Sequence, residues 1–391
     1  MIKRHALDIV LKLAPGFPIV AVTGPRQSGK TTLVKQAFPD KPYVSLENPD
    51  QRDFAQTDPR GFLAQYQNGA ILDEVQRCPE LFSYLQGLVD DKRQPGQFVL
   101  TGSQQFGLLS GITQSLAGRV ALVNLLPFAY SELQAEGIAP ESVAELLFKG
   151  LYPPVYDRPM QPDLWYNNYI NTYVERDVRQ LIAIQDLSTF QRFVKSCAAR
   201  TGQLLNISSL ANDCGITTPT AKSWLSVLEA SYLIHFLQPH FQNFNKRLVK
   251  SPKLYFVDTG IAARLLGIQH PDQLVAHPLR GELFETWVVG ELLKSRFNLG
   301  QPSNLYFWRD HIGNEVDVLI ETALKLHPVE IKAGQTITSE ALQGVLKWQA
   351  LAADNAGPGW LVYGGAEKQQ RQGLTVLPWQ NIPELLVSGE P

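Results

Sequence analysis

The sequence predicts a multi-module α/β chain, and three observations predict it. Short apolar runs alternate with helix-like segments over the first 130 residues, a stretch of helical spacing follows, and apolar strands return from Leu254 onward. At about 150 residues per domain, 391 residues suffice for two to three domains. Hydrophobic residues make up 44% and charged residues 18%, which is the composition of a folded protein and not of a disordered one. The expected divisions are an N-terminal α/β domain over 1–131, a helical connector over 132–193, a module of short helices and a hairpin over 194–256, and a second α/β domain over 257–391.

Composition also excludes several classes. The apolar runs fall far short of the roughly 20 residues that cross a bilayer, so no membrane span is expected. Met1 to Leu13 carries Asp8 and Lys12 where a signal peptide needs an apolar core, so it reads as a short amphipathic helix and the expected location is the cytoplasm. The cysteines Cys78, Cys197 and Cys214 form no CxxC pair and are odd in number, which argues for packing and against disulfides or zinc.

In the first domain, Ile19 to Val22, Tyr43 to Leu46, Ala70 to Leu72, Phe98 to Leu100 and Val120 to Val123 read as buried parallel strands. Thr32 to Ala37 and Glu80 to Leu88 read as helices between them. Directly after the first strand comes Gly24-Pro25-Arg26-Gln27-Ser28-Gly29-Lys30-Thr31-Thr32, which fits G-x-x-x-x-G-K-[ST] at every fixed position. Glycines there let backbone N–H groups close around phosphates, and the following helix N-terminus adds a favourable dipole. Lys30 is expected to neutralise the β- and γ-phosphates of ATP, and the Thr31 hydroxyl to coordinate Mg²⁺.

The strand Gly69-Ala-Ile-Leu72 ends in Asp73-Glu74 and resembles a Walker B element. Asp73 is expected to hold Mg²⁺ through water and Glu74 to act as general base on the attacking water. The next strand ends in Thr101-Gly-Ser103-Gln104, with Ser103 beside the γ-phosphate if the strands are neighbours. Arg119 opens the fifth strand and is expected to supply transition-state charge in cis or to a neighbouring subunit of a homo-oligomer. The extra strand Tyr43 to Leu46 between the two motifs, and the glutamate after Asp73, resemble the AAA-like branch of the P-loop ATPases.

Between Phe193 and Phe256, Lys195, Arg200, Lys222, Lys246, Arg247, Lys250 and Lys253 outnumber Asp213 and Glu229, a local net of +5 inside a chain whose net charge is −2. Ile207 to Ile216 and Thr218 to Leu228 read as helix, glycine turn, helix. Leu233 to Leu237 is expected to pair with Arg247-Leu-Val as a wing whose tip is Asn243-Phe-Asn-Lys. That is a winged helix-turn-helix, with Thr217, Thr218, Thr220 and Lys222 at the exposed start of the helix that would meet DNA.

Near the C-terminus, Asn314 to Ile320 reads as a strand with Glu315 and Asp317 on one face. A turn at Thr322-Ala-Leu-Lys leads to a strand from Pro328 carrying Glu330-Ile-Lys332. Asp followed by Glu-x-Lys across a hairpin is the core of the PD-(D/E)xK nuclease arrangement, in which the carboxylates hold Mg²⁺ and the lysine positions or deprotonates water. Asp317, Glu330 and Lys332 are the candidates, with Glu285, on a helix around Glu282 to Lys294, as a third acidic ligand. A helix is expected at Ser339 to Leu351 and a final strand at Trp360 to Tyr363.

The ordered set Thr23-Gly-Pro-Arg-Gln-Ser-Gly-Lys-Thr-Thr-Leu33, Leu72-Asp-Glu-Val-Gln76, Leu100-Thr-Gly-Ser103, Leu116-Ala-Gly-Arg119, Tyr173-Val-Glu-Arg-Asp177, Tyr255-Phe-Val-Asp-Thr-Gly260, Gly281-Glu-Leu-Phe-Glu285 and Val329-Glu-Ile-Lys-Ala-Gly334 resembles a prokaryotic family of AAA-type ATPases. Its members carry a C-terminal domain of unknown function with a restriction-endonuclease-like α/β core. The resemblance implies ATP binding and hydrolysis. Two expectations follow: an ATP-driven switch acting on DNA through the C-terminal modules, with metal-dependent cleavage as its sharper form, or a nucleotide-gated regulator whose C-terminal modules bind a protein partner.

Overall fold

The computed structural model describes residues 2–92, 94–103, 115–158, 160–172, 186–240 and 249–387. Gln104, the segment Tyr173 to Asp177, and the expected wing residues Asn243 to Arg247 lie outside the described residues. Two compact units emerge. The first comprises Met1–Phe128, Ala230–Tyr232 and Arg296–Pro302, and the second Ala129–Glu229, Leu233–Ser295 and Ser303–Pro391.

In the first unit all five expected strands form: β1 (Ile19–Thr23), β2 (Tyr43–Ser45), β3 (Ala70–Asp73), β4 (Phe98–Gly102) and β5 (Val120–Asn124). They pair in parallel in the order β2-β3-β4-β1-β5. Alternation explains why these runs are apolar at every position. Ile19 and Ala21 enter one core cluster with Leu72, Phe98 and Leu100, while Val20 and Val22 enter another with Ile71 and Val99. A strand covered on both faces has no solvent side to mark with polar residues. The helix α1 (Ala6–Leu13) buries Ala6 and Val10 in the second cluster, α2 (Lys30–Ala37) adds Leu33 and Val34 to it, and α3 (Leu81–Lys92) adds Leu81, Leu85 and Val89 to the first.

The second unit opens with short helices at Tyr130–Ala135, Val143–Lys149, Pro153–Asp157 and Pro162–Tyr169. In Leu151-Tyr-Pro-Pro-Val a helix starts at Pro153, because proline at the first helical position lacks only an N–H that would go unpaired there. Next come α4 (Leu187–Ala198), β6 (Gln203–Leu204), α5 (Ile207–Cys214), α6 (Thr218–Ala230), β7 (Ile234–Pro239) and β8 (Lys253–Phe256). Asn206 caps α5 and Gly215 ends it in the left-handed region at φ 68°, as the glycine turn requires. Trp224 packs edge-on against Phe190 and Phe193, with ring centroids 5.3 and 5.1 Å apart, fixing α6 on α4. All three cysteines are buried free thiols.

The expected partner of β7 was Arg247-Leu-Val; the structure pairs β7 with β8, antiparallel, Ile234 opposite Phe256. Val249 instead donates its N–H to the Arg309 carbonyl at 3.1 Å. The physical reason is burial: every residue of β8 is buried, and Lys253 alone among them carries a charge. Nor does the sheet break at residue 256. It continues through β9 (Leu305–Arg309), β10 (Glu315–Glu321), β11 (Leu326–Lys332), β12 (Trp360–Tyr363), β13 (Gln369–Arg371) and β14 (Leu374–Pro378), in the order β13-β14-β12-β11-β10-β9-β7-β8-β6. Trp360 to Tyr363 is therefore not the last strand, since β13 and β14 follow as a hairpin and β14 pairs in parallel with β12. The helix α7 (Arg280–Asn298) precedes β9, and α8 (Glu340–Ala352) covers β10 to β12 and β14 with Leu342, Val345 and Trp348. Among the described residues, no helix is long and apolar enough to cross a membrane.

Candidate active site

The phosphate loop leaves the carboxyl end of β1. Gly24 has φ 153°, and a Cβ there would lie 2.0 Å from the Leu125 carbonyl oxygen, so only glycine fits. Gly29, at φ 93°, precedes the first residue of α2, Lys30. The Lys30 ammonium is buried and donates to the carbonyls of Gly24 at 3.0 Å and Pro25 at 2.8 Å. Burial lowers its pKa to about 8, against the opposing pull of Glu74 and Asp73. Ser28 Oγ is buried and has no hydrogen-bond partner among the described residues. Gln27 sits in the loop at φ 62°, Arg26 pairs with Glu47 at 3.3 Å, and Thr32 is exposed on the first turn of α2.

The strand order brings the two motifs together. Asp73 closes β3, and Thr31 Oγ1 lies 3.4 Å from both of its carboxylate oxygens. Thr101 also donates to Asp73, and the Tyr43 hydroxyl donates to Oδ2 at 2.6 Å. Glu74 follows in the left-handed region at φ 55°, a conformation costly for a residue with a Cβ and common at functional sites. Its Oε2 accepts from Ser103 Oγ at 2.9 Å and from Gln76 Nε2. Because Thr23 is level with Gly102, Ser103 stands at the same sheet edge as Gly24. Thr31 and Asp73 offer the hard oxygen donors that Mg²⁺ takes, and the orphaned Ser28 hydroxyl suits a phosphate oxygen.

Arg119 is the exception. Its carbonyl accepts from Ile19 N at 3.2 Å, so it lies at the amino end of the sheet, a strand length of about 13 Å from the phosphate loop. Its guanidinium is engaged by Asp90, at 2.5 and 2.8 Å. A cis role at the γ-phosphate is corrected on that ground, because parallel strands put the start of β5 beside the start of β1. Sequence reasoning also missed three contacts. Arg4, buried, donates to the carbonyl of Ser28 at 2.6 Å and of Leu126 at 2.7 Å, bracing the loop from the N-terminal segment. Tyr43 was read only as a strand residue. Tyr232, at φ 55°, donates to Asn124 Oδ1 at 3.0 Å and lies 3.2 Å from Thr23 Oγ1 at the root of the loop. None had a local signal, since each depends on a partner 24 or more residues away.

In the second unit the expected carboxylates also converge. Continuing the β10–β11 register from Val318 opposite Val329 sets Asp317 across from Glu330, and Asp317 Oδ2 accepts from Ile331 N at 2.8 Å. Lys332 Nζ lies 2.6 Å from Glu330 Oε1 and 4.0 Å from Asp317 Oδ2. The unforeseen member is Lys253. Its buried ammonium lies 2.8 Å from Glu285 Oε1, 2.5 Å from Glu315 Oε1 and 4.0 Å from Asp317 Oδ1. Tyr255 donates to Glu285 at 2.5 Å, and Arg309 reaches the other oxygen of Glu315 at 2.9 Å. Burial pushes Glu285 up to about 7, and burial together with Asp317 pushes Glu330 up to about 8. Although burial opposes its charge, Glu285, Asp317 and Glu315 hold the Lys253 ammonium above its ordinary range. Among the described residues no group of three or more His, Cys, Asp or Glu is arranged to hold a metal ion. The residues present do not fit the Mg²⁺ expected at Glu285, Asp317 and Glu330, because Lys253 lies against Glu285 and Asp317 and Lys332 against Glu330.

The basic segment also changes character. Lys253 is 3% exposed and Arg200 pairs with Asp213, so neither belongs to an open basic face. Lys195, Lys222 and Lys250 are exposed. Thr217 is spent locally, its Oγ1 accepting from Thr220 N at 3.2 Å at the start of α6.

Residues 16–134 match the family described as an AAA domain, residues 140–272 a domain of unknown function (DUF8612) and residues 280–382 a domain of unknown function (DUF4143). The parallel sheet, its phosphate loop and that match define residues 16–134 as a P-loop domain of the AAA type. The chain belongs to the same family as Uncharacterized protein Rv2008c of Mycobacterium tuberculosis and Uncharacterized protein Mb2031c of Mycobacterium bovis, each 33% identical over 337 residues, covering 85% of this chain and 74% of the relative. Among solved structures, a Walker-type ATPase of Pyrococcus abyssi is similar at a TM-score of 0.45 and 14% identity, covering 68% of this chain and 96% of that one. AMPPCP-bound DnaA from Aquifex aeolicus is similar at a TM-score of 0.30 and 13% identity, covering 57% and 86%.

Proposed function

We propose that the chain is a Mg²⁺-dependent ATP hydrolase whose nucleotide state governs DNA contact by its C-terminal half. The observation that carries the ATPase reading is the meeting of Lys30, Thr31, Asp73, Glu74 and Ser103 at one sheet edge. Lys30, freed from the loop carbonyls, neutralises the β- and γ-phosphates, and backbone N–H groups of Gly24 to Thr32 hold their oxygens. Thr31 and Asp73 would hold Mg²⁺, which supplies charge to offset that building on the phosphate oxygens. Glu74 orients water and takes its proton, while Ser103 and Gln76 fix the carboxylate.

The DNA reading rests on α4, β6, α5, α6, β7 and β8. Their order is helix, strand, helix, helix, strand, strand, with β8 between β6 and β7, and this order supports the winged-helix reading. Lys222 stands exposed in the first turns of α6, Lys195 is exposed on α4, and Lys250 is exposed just before β8. Metal-dependent cleavage through Asp317, Glu330 and Lys332 is not part of this reading, because Lys253 lies among the carboxylates.

The same observation favours a second reading, a nucleotide-gated regulator with a non-cleaving C-terminal domain that binds a protein. Filter-binding titrations on single-stranded, double-stranded and branched DNA, with and without ATP, separate the two. ATP-dependent, salt-sensitive affinity supports the DNA reading. ATP hydrolysis with no DNA affinity above a neutral control rejects it, and absent hydrolysis with unaltered nucleotide binding in Lys30→Ala rejects the ATPase reading.

A further inference from the structure

We propose that the Lys253 ammonium is a built-in substitute for a divalent ion in the carboxylate cluster of the second unit, so that this cluster binds no metal. The inference stands independently of the ATPase reading.

Geometry supplies the first argument. Mg²⁺ and Ca²⁺ need about six oxygens or more within roughly 2.0–2.6 Å. Five of the eight carboxylate oxygens of Glu285, Glu315, Asp317 and Glu330 already hold a cation or an N–H. Glu285 Oε1 takes Lys253 and Tyr255, Glu315 Oε1 takes Lys253 while its Oε2 takes Arg309, Asp317 Oδ2 takes Ile331 N, and Glu330 Oε1 takes Lys332. Of the carboxylate oxygens in this cluster, Glu330 Oε2 is the one that is fully buried without a hydrogen-bond partner among the described residues. One such oxygen cannot build a coordination shell.

Charge supplies the second. The four carboxylates Glu285, Glu315, Asp317 and Glu330 face the three cations Lys253, Arg309 and Lys332. With all four carboxylates ionised, removal of Lys253 would leave a formal charge of −2, which one divalent ion would cancel. With Lys253 in place, an added ion would meet a buried ammonium inside the same oxygen cage, where like charges repel strongly in a low dielectric. The position is built into the sheet. Lys253 opens β8 between Leu204 of β6 and Leu237 of β7, so it is delivered to Glu285 on α7 and Glu315 on β10 from a strand remote in sequence.

The test uses the full chain free of nucleotide, so that the phosphate loop adds no metal site. Mn²⁺ binding is followed by electron paramagnetic resonance and thermal melting, comparing wild type, Asp317→Asn, Lys253→Met and Lys253→Met/Asp317→Asn. The expected result is equal Mn²⁺ uptake by wild type and Asp317→Asn. Lys253→Met melts lower in metal-free buffer, gains one bound Mn²⁺ per chain and recovers its melting point with it, and the double variant loses both gains. Uptake by wild type that Asp317→Asn abolishes overturns the proposal, as does a folded Lys253→Met that gains no Mn²⁺. If Lys253→Met does not fold, the comparison of wild type with Asp317→Asn decides alone.

Discussion

The Tyr43 hydroxyl donates to Asp73 Oδ2 at 2.6 Å, from a strand thirty residues earlier, while Thr31 Oγ1 stands 3.4 Å from the same carboxylate. Tyr43 thereby holds the acid that is proposed to serve Mg²⁺, as outer-shell partners commonly do. In Tyr43→Phe the Mg²⁺ concentration for half-maximal ATP hydrolysis rises by about 10-fold, the low end for loss of such a partner. A Mg²⁺ titration at fixed ATP reads this, and an unchanged midpoint removes Tyr43 from the site.

Lys30 makes nucleotide binding pH-dependent. Its ammonium is the form that meets phosphate, and burial sets its pKa at about 8 in the nucleotide-free chain. Affinity for ATP is therefore full near pH 6.5 and declines as pH rises through about 8, opposite to what a carboxylate ligand would give. In Lys30→Ala binding weakens about 30-fold, the loss of a charged hydrogen bond worth about 2 kcal/mol, and the decline with pH disappears. Equilibrium titration with a fluorescent ATP analogue at several pH values measures both.

Glu74→Gln separates binding from chemistry. The amide keeps the shape and loses the base, so kcat is expected to drop at least about 100-fold while ATP affinity stays within about threefold. Single-turnover hydrolysis beside equilibrium binding checks the split; a parallel loss of both would show a purely structural residue.

If α6 meets DNA, Lys222 contacts phosphate through its exposed ammonium. Lys222→Ala then lowers the slope of log affinity against log salt by about one unit with little change in sequence preference. Filter binding at four salt concentrations tests it.

Trp224 is held edge-on by Phe190 and Phe193 and is 8% exposed. Trp224→Ala should destabilise the second unit by about 3–5 kcal/mol, the usual cost of emptying a large aromatic site. Urea unfolding followed by circular dichroism reads the loss, and a change under about 1 kcal/mol would show that α6 is fixed by other contacts.

The sequence by itself determined what is local. The phosphate loop needs glycine at 24 and 29 for backbone reasons that act within a few residues, and the five buried strands of the first unit show as unbroken apolar runs because both faces are covered. The Glu-x-Lys hairpin was legible too, since a turn of four residues fixes which side chains share a face. Only the tertiary structure decided what depends on strand order. It set Arg119 at the amino edge with Asp90, brought Tyr43 and Arg4 to the nucleotide site, and seated Lys253 among Glu285, Glu315 and Asp317. A charge count read Lys253 as part of a basic face, because a linear sequence carries the sign of a residue and not its depth. Burial gave that lysine acidic neighbours in place of solvent, and with them a different role.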